Sequence, residues 1–314
     1  MHQQSQRCAL VVGGAGFIGS HLVDRLLARG DRVYCVDNLL TGRVENLAQC
    51  EDHPDFTFLQ ADAADFEIPE PVDAVYYLAS PASPRAYRRY PLETLAAGST
   101  GVRHSLDVAR RHGARFLLTS TSEVYGDPQV HPQREDYHGN VNPVGPRSMY
   151  DEAKRFAEAL VTAYSATFGL QTRIARIFNT YGPRMDSEDG RVVPTFVRQA
   201  LAGEPLTVAG KGEQTRSLCY VDDTVAGLLA LLDSDESAPV NIGNPHEITV
   251  LELARTVLSL CGRKPDDMVF VPLPPEDPQR RCPDITRATS ALSWRPTVGL
   301  EQGLRLTIAA ARNG

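Results

Sequence analysis

The sequence predicts an α/β fold in which a doubly wound parallel sheet is followed by a smaller C-terminal lobe. Three observations predict it: short apolar runs alternate with amphipathic helical stretches, a glycine-rich turn joins the first run to the first helix, and the pattern changes after residue 178. Strands that alternate with helices form right-handed βαβ units, whose strands are parallel. We therefore expect one domain over residues 1–178, with returning segments near 217–242, and a second lobe formed mainly by 179–314.

The strands are expected at six apolar runs. The first run, Cys8 to Gly13, has no charged residue, which is typical of a strand buried on both faces. The other five are Arg32–Asp37, Phe56–Leu59, Ala74–Leu78, Arg115–Ser120 and Thr172–Ile177. Helices are expected at His21–Ala28, at about Leu92–Arg111, and from the segment around Tyr150 onwards.

The C-terminal part carries different signals. A helix is expected near 192–202, and Asp222 can cap a helix that runs through Leu232. Thr249 and Glu252 have the spacing of a capping box for a helix that ends near Cys261. The stretch from Pro272 to Pro283 contains five prolines and two adjacent arginines, so we expect an irregular segment there.

Composition excludes several classes of protein. The formal net charge of −7 and the lack of a basic stripe argue against a nucleic-acid partner. No apolar run approaches the roughly 20 residues of a membrane helix, and the N-terminus lacks an apolar signal core, so we expect a cytoplasmic protein. The six cysteines lack metal-binding spacing, and we expect no metal site.

The glycine-rich turn predicts a dinucleotide site. Gly13, Gly16 and Gly19 fall between a strand and a helix, where glycines let the backbone approach a pyrophosphate. Asp37 ends the second strand, and a carboxylate there binds the adenosine ribose and repels a 2′-phosphate, which favours NAD over NADP. The remaining residues that we assign to this site are Phe17, Ile18, Asn38, Asp62 and Ala79. For Asp62, a solvated loop position is an equal alternative.

Tyr150 and Lys154 form a Tyr-x-x-x-Lys pair. The spacing places both side chains on one face of a helix, and a cation beside a phenol favours the phenolate. The chain has 11 tyrosines and only three lysines, Lys154, Lys211 and Lys264, so about 0.1 such pairs are expected by chance. We expect Tyr150 to act as a base whose pKa Lys154 lowers.

These features, with several longer stretches, resemble the extended short-chain dehydrogenase/reductase family and, within its sugar-nucleotide branch, the UDP-glucuronate decarboxylases. The stretches are Leu78–Pro84, Thr119–Pro128, Gly139–Ser148, Arg176–Arg184, Arg216–Asp223 and Asp277–Ile285. The resemblance implies a Rossmann-like NAD domain and a C-terminal lobe that binds the substrate. It also implies a homodimer in which the helices near 92–111 and 148–168 form a four-helix bundle.

Ser122 and Glu123 distinguish the reactions of this branch. The resemblance implies an Asp-Glu pair in 4,6-dehydratases, whose aspartate protonates a departing hydroxyl, and no glutamate in 4-epimerases. Here serine replaces the aspartate and the glutamate is kept, which favours a decarboxylase. A 4,6-dehydratase, a 4-epimerase and a non-catalytic regulator that binds a nucleotide sugar stay open as alternatives.

The resemblance implies a redox-neutral reaction on UDP-glucuronate. Tyr150, supported by Lys154 and by Thr121 or Ser122, would take the C4 hydroxyl proton while C4 is oxidised. Loss of carbon dioxide, protonation at C5 by Glu123 or a water that it holds, and reduction at C4 would then give UDP-xylose. Arg281 would lie near the sugar carboxylate. The other residues that we assign to the substrate are Ser83, Asn179, Arg184, Arg191, Arg216 and Tyr220, although Tyr220 could equally be a core aromatic.

The chain departs from the family pattern at four positions, two of which are His138, where the resemblance implies Trp, and Met149, where it implies Cys. The resemblance leads us to expect Asn at Gly98 and Gly at Ala153. The change at Gly98 could loosen the helix that carries the active site.

Overall fold

A computed structural model describes residues 6–272 and 280–313. Within them, seven parallel strands form the central sheet in the order β11-β6-β5-β4-β1-β2-β3. The strands are β1 Cys8–Val12, β2 Arg32–Asp37, β3 Phe56–Gln60, β4 Ala74–Tyr77, β5 Arg115–Thr121, β6 Thr172–Ile177 and β11 Val240–Ile242. The predicted α/β fold with a parallel sheet is confirmed, and all six predicted runs are strands.

Helices cover both faces of the sheet because successive residues of a buried strand point to opposite sides. On β1, Val11 packs in the core beneath α1 and α7, whereas Leu10 packs in the core beneath α4 and α5. The helices that follow the sheet strands are α1 Phe17–Ala28, α2 Pro84–Arg89, α3 Pro91–Ala96, α4 Val102–His112, α5 Ser148–Phe168 and α7 Val221–Asp233.

Shorter strands and further helices follow residue 178. Three two-stranded pairs are formed, β10 with β7, β12 with β9, and β13 with β8. Their bounds are β7 Thr180–Tyr181, β8 Leu206–Ala209, β9 Thr215–Ser217, β10 Cys219–Tyr220, β12 Glu247–Thr249 and β13 Met268–Val271. The helices are α6 Val192–Ala202, α8 Val250–Leu260, α9 Thr286–Leu292 and α10 Leu300–Asn313. The division into two domains at residue 178 stays a prediction.

The capping signals have two outcomes. The capping box of Thr249 and Glu252 is present at the start of α8, as predicted. Asp222 is not an N-cap: α7 begins at Val221 after Tyr220, and Asp222 lies in its first turn, where a carboxylate still favours the helix dipole. Part of the proline-rich stretch, residues 273–279, lies outside the described residues, together with Asp277 of the resembling segment.

The predicted helix at 92–111 is interrupted. A π-helical segment, Ala97–Gly101, separates α3 from α4. Gly98 lies in this segment, and a Cβ added to it would come within 2.8 Å of the backbone oxygen of Ala153 on α5. Glycine at 98 therefore lets the two helices approach closely, and the expected loosening of the helix stays a prediction. No helix within 6–272 and 280–313 has the length and apolarity of a membrane span.

Candidate active site

A cavity of about 800 Å³ opens at the carboxyl ends of β1, β4 and β5. Ligands of doubly wound sheets bind at this edge, beside the position where the strand order reverses between β1 and β4. The cavity brings together most of the residues predicted from the sequence. These are Gly13, Gly16, Phe17, Ile18, Gly19, Ser83, Thr121, Ser122, Glu123, Tyr150, Lys154, Asn179, Arg184, Arg191, Arg216 and Arg281.

The glycine-rich turn fits a pyrophosphate. Gly13 has a φ of 86°, and a Cβ on it would lie 2.5 Å from the backbone nitrogen of Ala79. A Cβ on Gly19 would overlap the carbonyl oxygen of Gly13, so the first turn of α1 could not pack against the loop. The glycine backbone of the turn lines the cavity at the N-terminus of α1. The N–H groups and the helix dipole there favour an anion.

The other predicted cofactor residues lie off the cavity wall. Asp37 is buried, and its carboxylate accepts hydrogen bonds from the backbone nitrogens of Ala15, at 3.0 Å, and Leu39, at 2.9 Å. Exposed Asn38 donates to Asp62 at 2.9 Å, and Ala79 packs behind Gly13. Asp37 therefore ties the glycine turn to the loop after β2, and its contact with a ribose stays a prediction.

Tyr150 and Lys154 are both buried on the first turns of α5, with 6% and 4% of their surfaces exposed. Lys154 donates from Nζ to the backbone oxygen of Thr119 at 2.9 Å, and its Nζ lies 6.0 Å from the Tyr150 ring centroid. Burial lowers the pKa of Lys154 to about 8. The position of the pair on one helical face agrees with the predicted spacing.

Burial dominates the pKa of Tyr150 in the polypeptide alone. It raises this pKa above the ordinary value of a tyrosine, and the hydrogen bond with the Thr121 hydroxyl opposes that rise only in part. Lys154 donates to the Thr119 carbonyl, and the expected lowering of the Tyr150 pKa by Lys154 stays a prediction. The local chemistry supplies a hydrogen-bonded, neutral phenol.

Glu123 lies between two arginines. Oε1 of Glu123 is 2.9 Å from Nη1 of Arg281, and its Oε2 forms a close ion pair with Nη2 of Arg147. Burial alone would raise the pKa of Glu123, but the two guanidinium groups hold it below the usual range. Glu123 is therefore an ionised carboxylate, which fits the predicted role of holding a water better than that of giving up its own proton.

Arg281 is 3% exposed and fixes the polar edge of the cavity. Besides the ion pair with Glu123, it donates to the backbone oxygen of Gly126 at 2.9 Å, and its Nη1 lies 3.4 Å from Oγ of Ser122. Its buried Nε has no partner within the described residues. The sequence analysis placed the positive charge of Arg281 beside a substrate carboxylate. In the structure, Glu123 partly balances that charge.

Among the predicted substrate residues, the arginines are held by neighbouring groups. Arg184, in a left-handed conformation with φ of 63°, donates to Asp24 on α1 at 2.7 Å. Arg191 donates from Nε to Asp189 at 2.7 Å, and Arg216 donates to the backbone oxygen of Thr215 at 2.8 Å. All three side chains line the cavity.

The remaining substrate residues divide into two groups. Ser83 caps α2 by accepting from the nitrogen of Ala86, and both Ser83 and Asn179 line the cavity. Tyr220 does not: it is 4% exposed in the core and packs edge-to-face on Tyr181, with ring centroids 5.7 Å apart. This corrects the assignment of Tyr220 to the substrate, and the alternative of a core aromatic describes it.

Sequence reasoning missed three residues of the site. Arg147 and Tyr87 line the cavity, and the Tyr87 ring stacks on Tyr150 with centroids 5.2 Å apart. Asp151, beside Tyr150, lies 3.9 Å from Nε of Arg147. The sequence signal for these residues was the acidic and basic residues that flank Tyr150. Charged residues usually indicate a surface position, and the structure shows instead that the start of α5 is buried.

Comparisons with known proteins agree with this geometry. The chain is 52% identical over 305 residues to UDP-glucuronic acid decarboxylase 6 of Arabidopsis thaliana, covering 96% of this chain and 88% of the relative. It is 50% identical over 308 residues to UDP-glucuronic acid decarboxylase 1 of Danio rerio, covering 98% and 73%.

Solved structures of related enzymes have the same architecture. A UDP-glucose 4-epimerase of Thermotoga maritima with UDP-glucose superposes with a TM-score of 0.89 at 32% identity, covering 98% of this chain and 99% of that one. A dTDP-glucose 4,6-dehydratase of Streptomyces venezuelae with NAD bound gives 0.87 at 29% identity, covering 98% and 97%. Residues 9–243 match the NAD dependent epimerase/dehydratase family. The chain belongs to that family, within the extended short-chain dehydrogenases/reductases, and NAD is its cofactor.

Proposed function

We propose that this protein decarboxylates UDP-glucuronate to UDP-xylose through oxidation at C4, loss of carbon dioxide, protonation at C5 and reduction at C4. One observation carries the proposal: Glu123 is held between Arg147 and Arg281 in the cavity that also contains Tyr150 and Lys154. The names of relatives that are about half identical over nearly the whole chain support the same reaction.

Tyr150 and its neighbours serve the oxidation and the final reduction. NAD, when bound, accepts a hydride from C4 and later returns it. The Tyr150 phenol lies beside the Thr121 hydroxyl, so the C4 hydroxyl proton can pass to Tyr150 directly or through Thr121. Since burial raises the pKa of Tyr150 in the protein alone, the proton transfer needs added positive charge close to the phenol. A positively charged nicotinamide ring has the required sign.

Arg281, Arg147 and Glu123 serve the decarboxylation. A ketone at C4 makes the C6 carboxyl group part of a β-keto acid, which loses carbon dioxide as its electrons move into an enolate. Buried Arg281 and partly exposed Arg147 against one carboxylate leave positive charge that favours both the incoming carboxylate and the enolate oxygen. Ionised Glu123 can orient the water that delivers the proton to C5.

The residues of this cavity argue against both rival reactions: Ser122 argues against a 4,6-dehydratase, and Glu123 argues against a 4-epimerase. A 4,6-dehydratase requires an acid where Ser122 stands, and the Ser122 hydroxyl is a weak acid that lies beside Arg281. The solved epimerase and dehydratase share the fold, but fold does not determine the reaction. A non-catalytic regulator would have no need for Tyr150, Lys154, Glu123 and Arg281 to converge.

Mass spectrometry of purified protein incubated with UDP-glucuronate, without added reductant, tests the proposal. We expect a product lighter by one carbon dioxide and no net NADH. A 4-keto product with NADH would place the failure at the last reduction. Loss of water from UDP-glucose or dTDP-glucose, with no turnover of UDP-glucuronate, would replace the proposal with a dehydratase, and no turnover of any of them would favour the regulator.

We also propose a homodimer. In each copy, the segment of α3 and α4 near residues 92–111 counts as one helix and α5 as the other, and two copies form a four-helix bundle. Four large apolar side chains on these helices face solvent: Leu92 is 74% exposed, Leu95 41%, Phe156 52% and Phe168 51%. Apolar groups gathered on one surface mark protein interfaces. Light scattering should give twice the chain mass, and Phe156→Glu should give the chain mass with an unchanged helical circular-dichroism signal. The cytoplasmic location expected from the sequence stays a prediction.

A further inference from the structure

The cluster of Glu123, Arg147 and Arg281 has a fourth member that the proposed reaction does not use. Asp151 follows Tyr150 in the first turn of α5 and is 6% exposed. Its Oδ2 lies 3.9 Å from Nε of Arg147, and its Oδ1 has no hydrogen-bond partner within the described residues. Asp151 is thus a nearly enclosed carboxyl group with one distant cation beside it.

Arg147 is shared unequally between two carboxyl groups. Its Nη2 is in close contact with Glu123, whose other oxygen lies 2.9 Å from Arg281, whereas its Nε faces Asp151 at the outer limit of an ion pair. A buried carboxylate that lacks hydrogen bonds is costly, and its neutral form is favoured. The geometry therefore favours an ionised Glu123 together with a protonated Asp151.

Groups from every neighbouring element act on Asp151. Burial and the charge of Glu123 raise its pKa to about 7, and Arg147 and Arg281 oppose that rise. The charged and titratable groups that face it are Glu123 after β5, Tyr87 on α2, Arg281 in the C-terminal part, and Arg147, Tyr150 and Glu152 at the start of α5. Asp151 therefore changes its charge close to neutral pH.

The charge of Asp151 decides the charge of the whole cluster. With Asp151 neutral, two guanidinium groups face one carboxylate and a single positive charge is in surplus; with Asp151 ionised, the charges cancel. We propose that Asp151 is a positioning and specificity-determining residue. When Asp151 is protonated, Arg147 and Arg281 carry one surplus positive charge, and this charge selects a sugar ligand that bears a carboxylate. The inference rests on the proposed function, because it assigns a role within that same site.

The sign of the pH dependence follows. As the pH rises through about 7, Asp151 loses its proton, the surplus disappears, and affinity for UDP-glucuronate falls. By reciprocity, binding of UDP-glucuronate near pH 7 makes Asp151 take up a proton. UDP-glucose differs from UDP-glucuronate only in having a hydroxymethyl group at C5, so it should show neither effect. Lys154, whose pKa is about 8, is present with and without the Asp151→Asn substitution, so the difference between those two proteins isolates Asp151.

Isothermal titration calorimetry on the NAD-loaded Tyr150→Phe protein, which cannot begin turnover, measures both ligands between pH 6 and 8.5. We expect UDP-glucuronate to bind about tenfold more weakly at pH 8.5 than at pH 6, and UDP-glucose to change by less than about twofold. Adding Asp151→Asn should abolish the pH dependence and keep the tighter binding at pH 8.5. The control Glu301→Gln removes an exposed carboxylate on α10 that pairs with Arg305, and it should leave the pH dependence unchanged.

Proton uptake keeps the proposal testable without the Asp151 substitution. Titrations of UDP-glucuronate at pH 7 in two buffers of different ionisation enthalpy should show proton uptake, and those of UDP-glucose should not. Equal pH dependence for the two ligands, or its persistence in Asp151→Asn, would overturn the role of Asp151. Failure of the proposed function looks different: the unsubstituted protein would not turn over UDP-glucuronate, whatever the binding curves show.

Discussion

The two sides of the cavity treat buried charge in opposite ways. At Lys154, the partner is a neutral backbone carbonyl, and burial lowers the pKa to about 8. At Glu123, two arginines outweigh the effect of burial and hold the pKa below its usual range. The first side is thus poised to change protonation near neutral pH, whereas on the second side Glu123 stays ionised and Asp151 is the group that titrates. We infer from this difference that Tyr150 and Lys154 carry the proton transfer at C4, and that Glu123 and its arginines stabilise charge in the decarboxylation and orient the water that protonates C5.

The largest effect should come from removing the proton carrier. Tyr150→Phe removes the hydroxyl that lies against Thr121, and we expect kcat to fall by about 10³-fold, because general acid–base catalysis contributes on that order. Stopped-flow absorbance at the reduced-nicotinamide band should also show no C4 oxidation.

Tyr164→Phe is the matched control, since Tyr164 lies on the same helix and bonds Asp107 instead. Its kcat should stay within about twofold of the unsubstituted protein. If Tyr150→Phe kept a tenth of the activity, proton transfer would have to be assigned to another group on that side.

A smaller effect is expected when the negative charge of Glu123 is removed. Glu123→Gln leaves Arg147 and Arg281 without their shared carboxylate, so we expect kcat to fall by about 10²-fold while KM does not rise. Oxidation at C4 should persist, because Tyr150 is untouched, and reduced cofactor should accumulate before carbon dioxide is lost.

Glu152→Gln controls for this change, because Glu152 makes only a half-exposed pair with Arg155, at 3.7 Å. A raised KM with an unchanged kcat in Glu123→Gln would show that Glu123 binds the ligand and takes no part in the reaction. The two sides of the cavity would then not be divided as described.

The sequence predicted the sheet and the proton-transfer side for a physical reason. Strands such as Cys8–Val12 are apolar throughout because both faces are covered, and the spacing of Tyr150 and Lys154 encodes one helical face. Both signals are local, so a single sequence contains them.

The side of the cavity that contains Glu123 depends on contacts between distant parts of the chain. Glu123 and Arg281 are 158 residues apart and form a pair only because the C-terminal part returns to the cavity. The burial of Asp151 and the raised pKa of Tyr150 arise in the same way, from chain segments that enclose α5. Likewise, the close approach of Gly98 to Ala153 joins residues 55 positions apart in the chain, so the sequence did not show it.

The smallest effect concerns stability at the side that burial controls. The pKa of Lys154 is about 8 in the folded protein, below the ordinary lysine value of 10.5, so the unfolded chain binds more protons between these two pH values. Stability should therefore rise as the pH increases from 8 to 10.5, by on the order of 3 kcal/mol from this residue. Lys154→Met lacks this contribution, and the difference in unfolding free energy between the two proteins should shift by about 2 kcal/mol between pH 8 and pH 10. Urea unfolding at pH 8 and pH 10 measures the shift; equal differences at both pH values would show that Lys154 keeps its ordinary charge despite its burial.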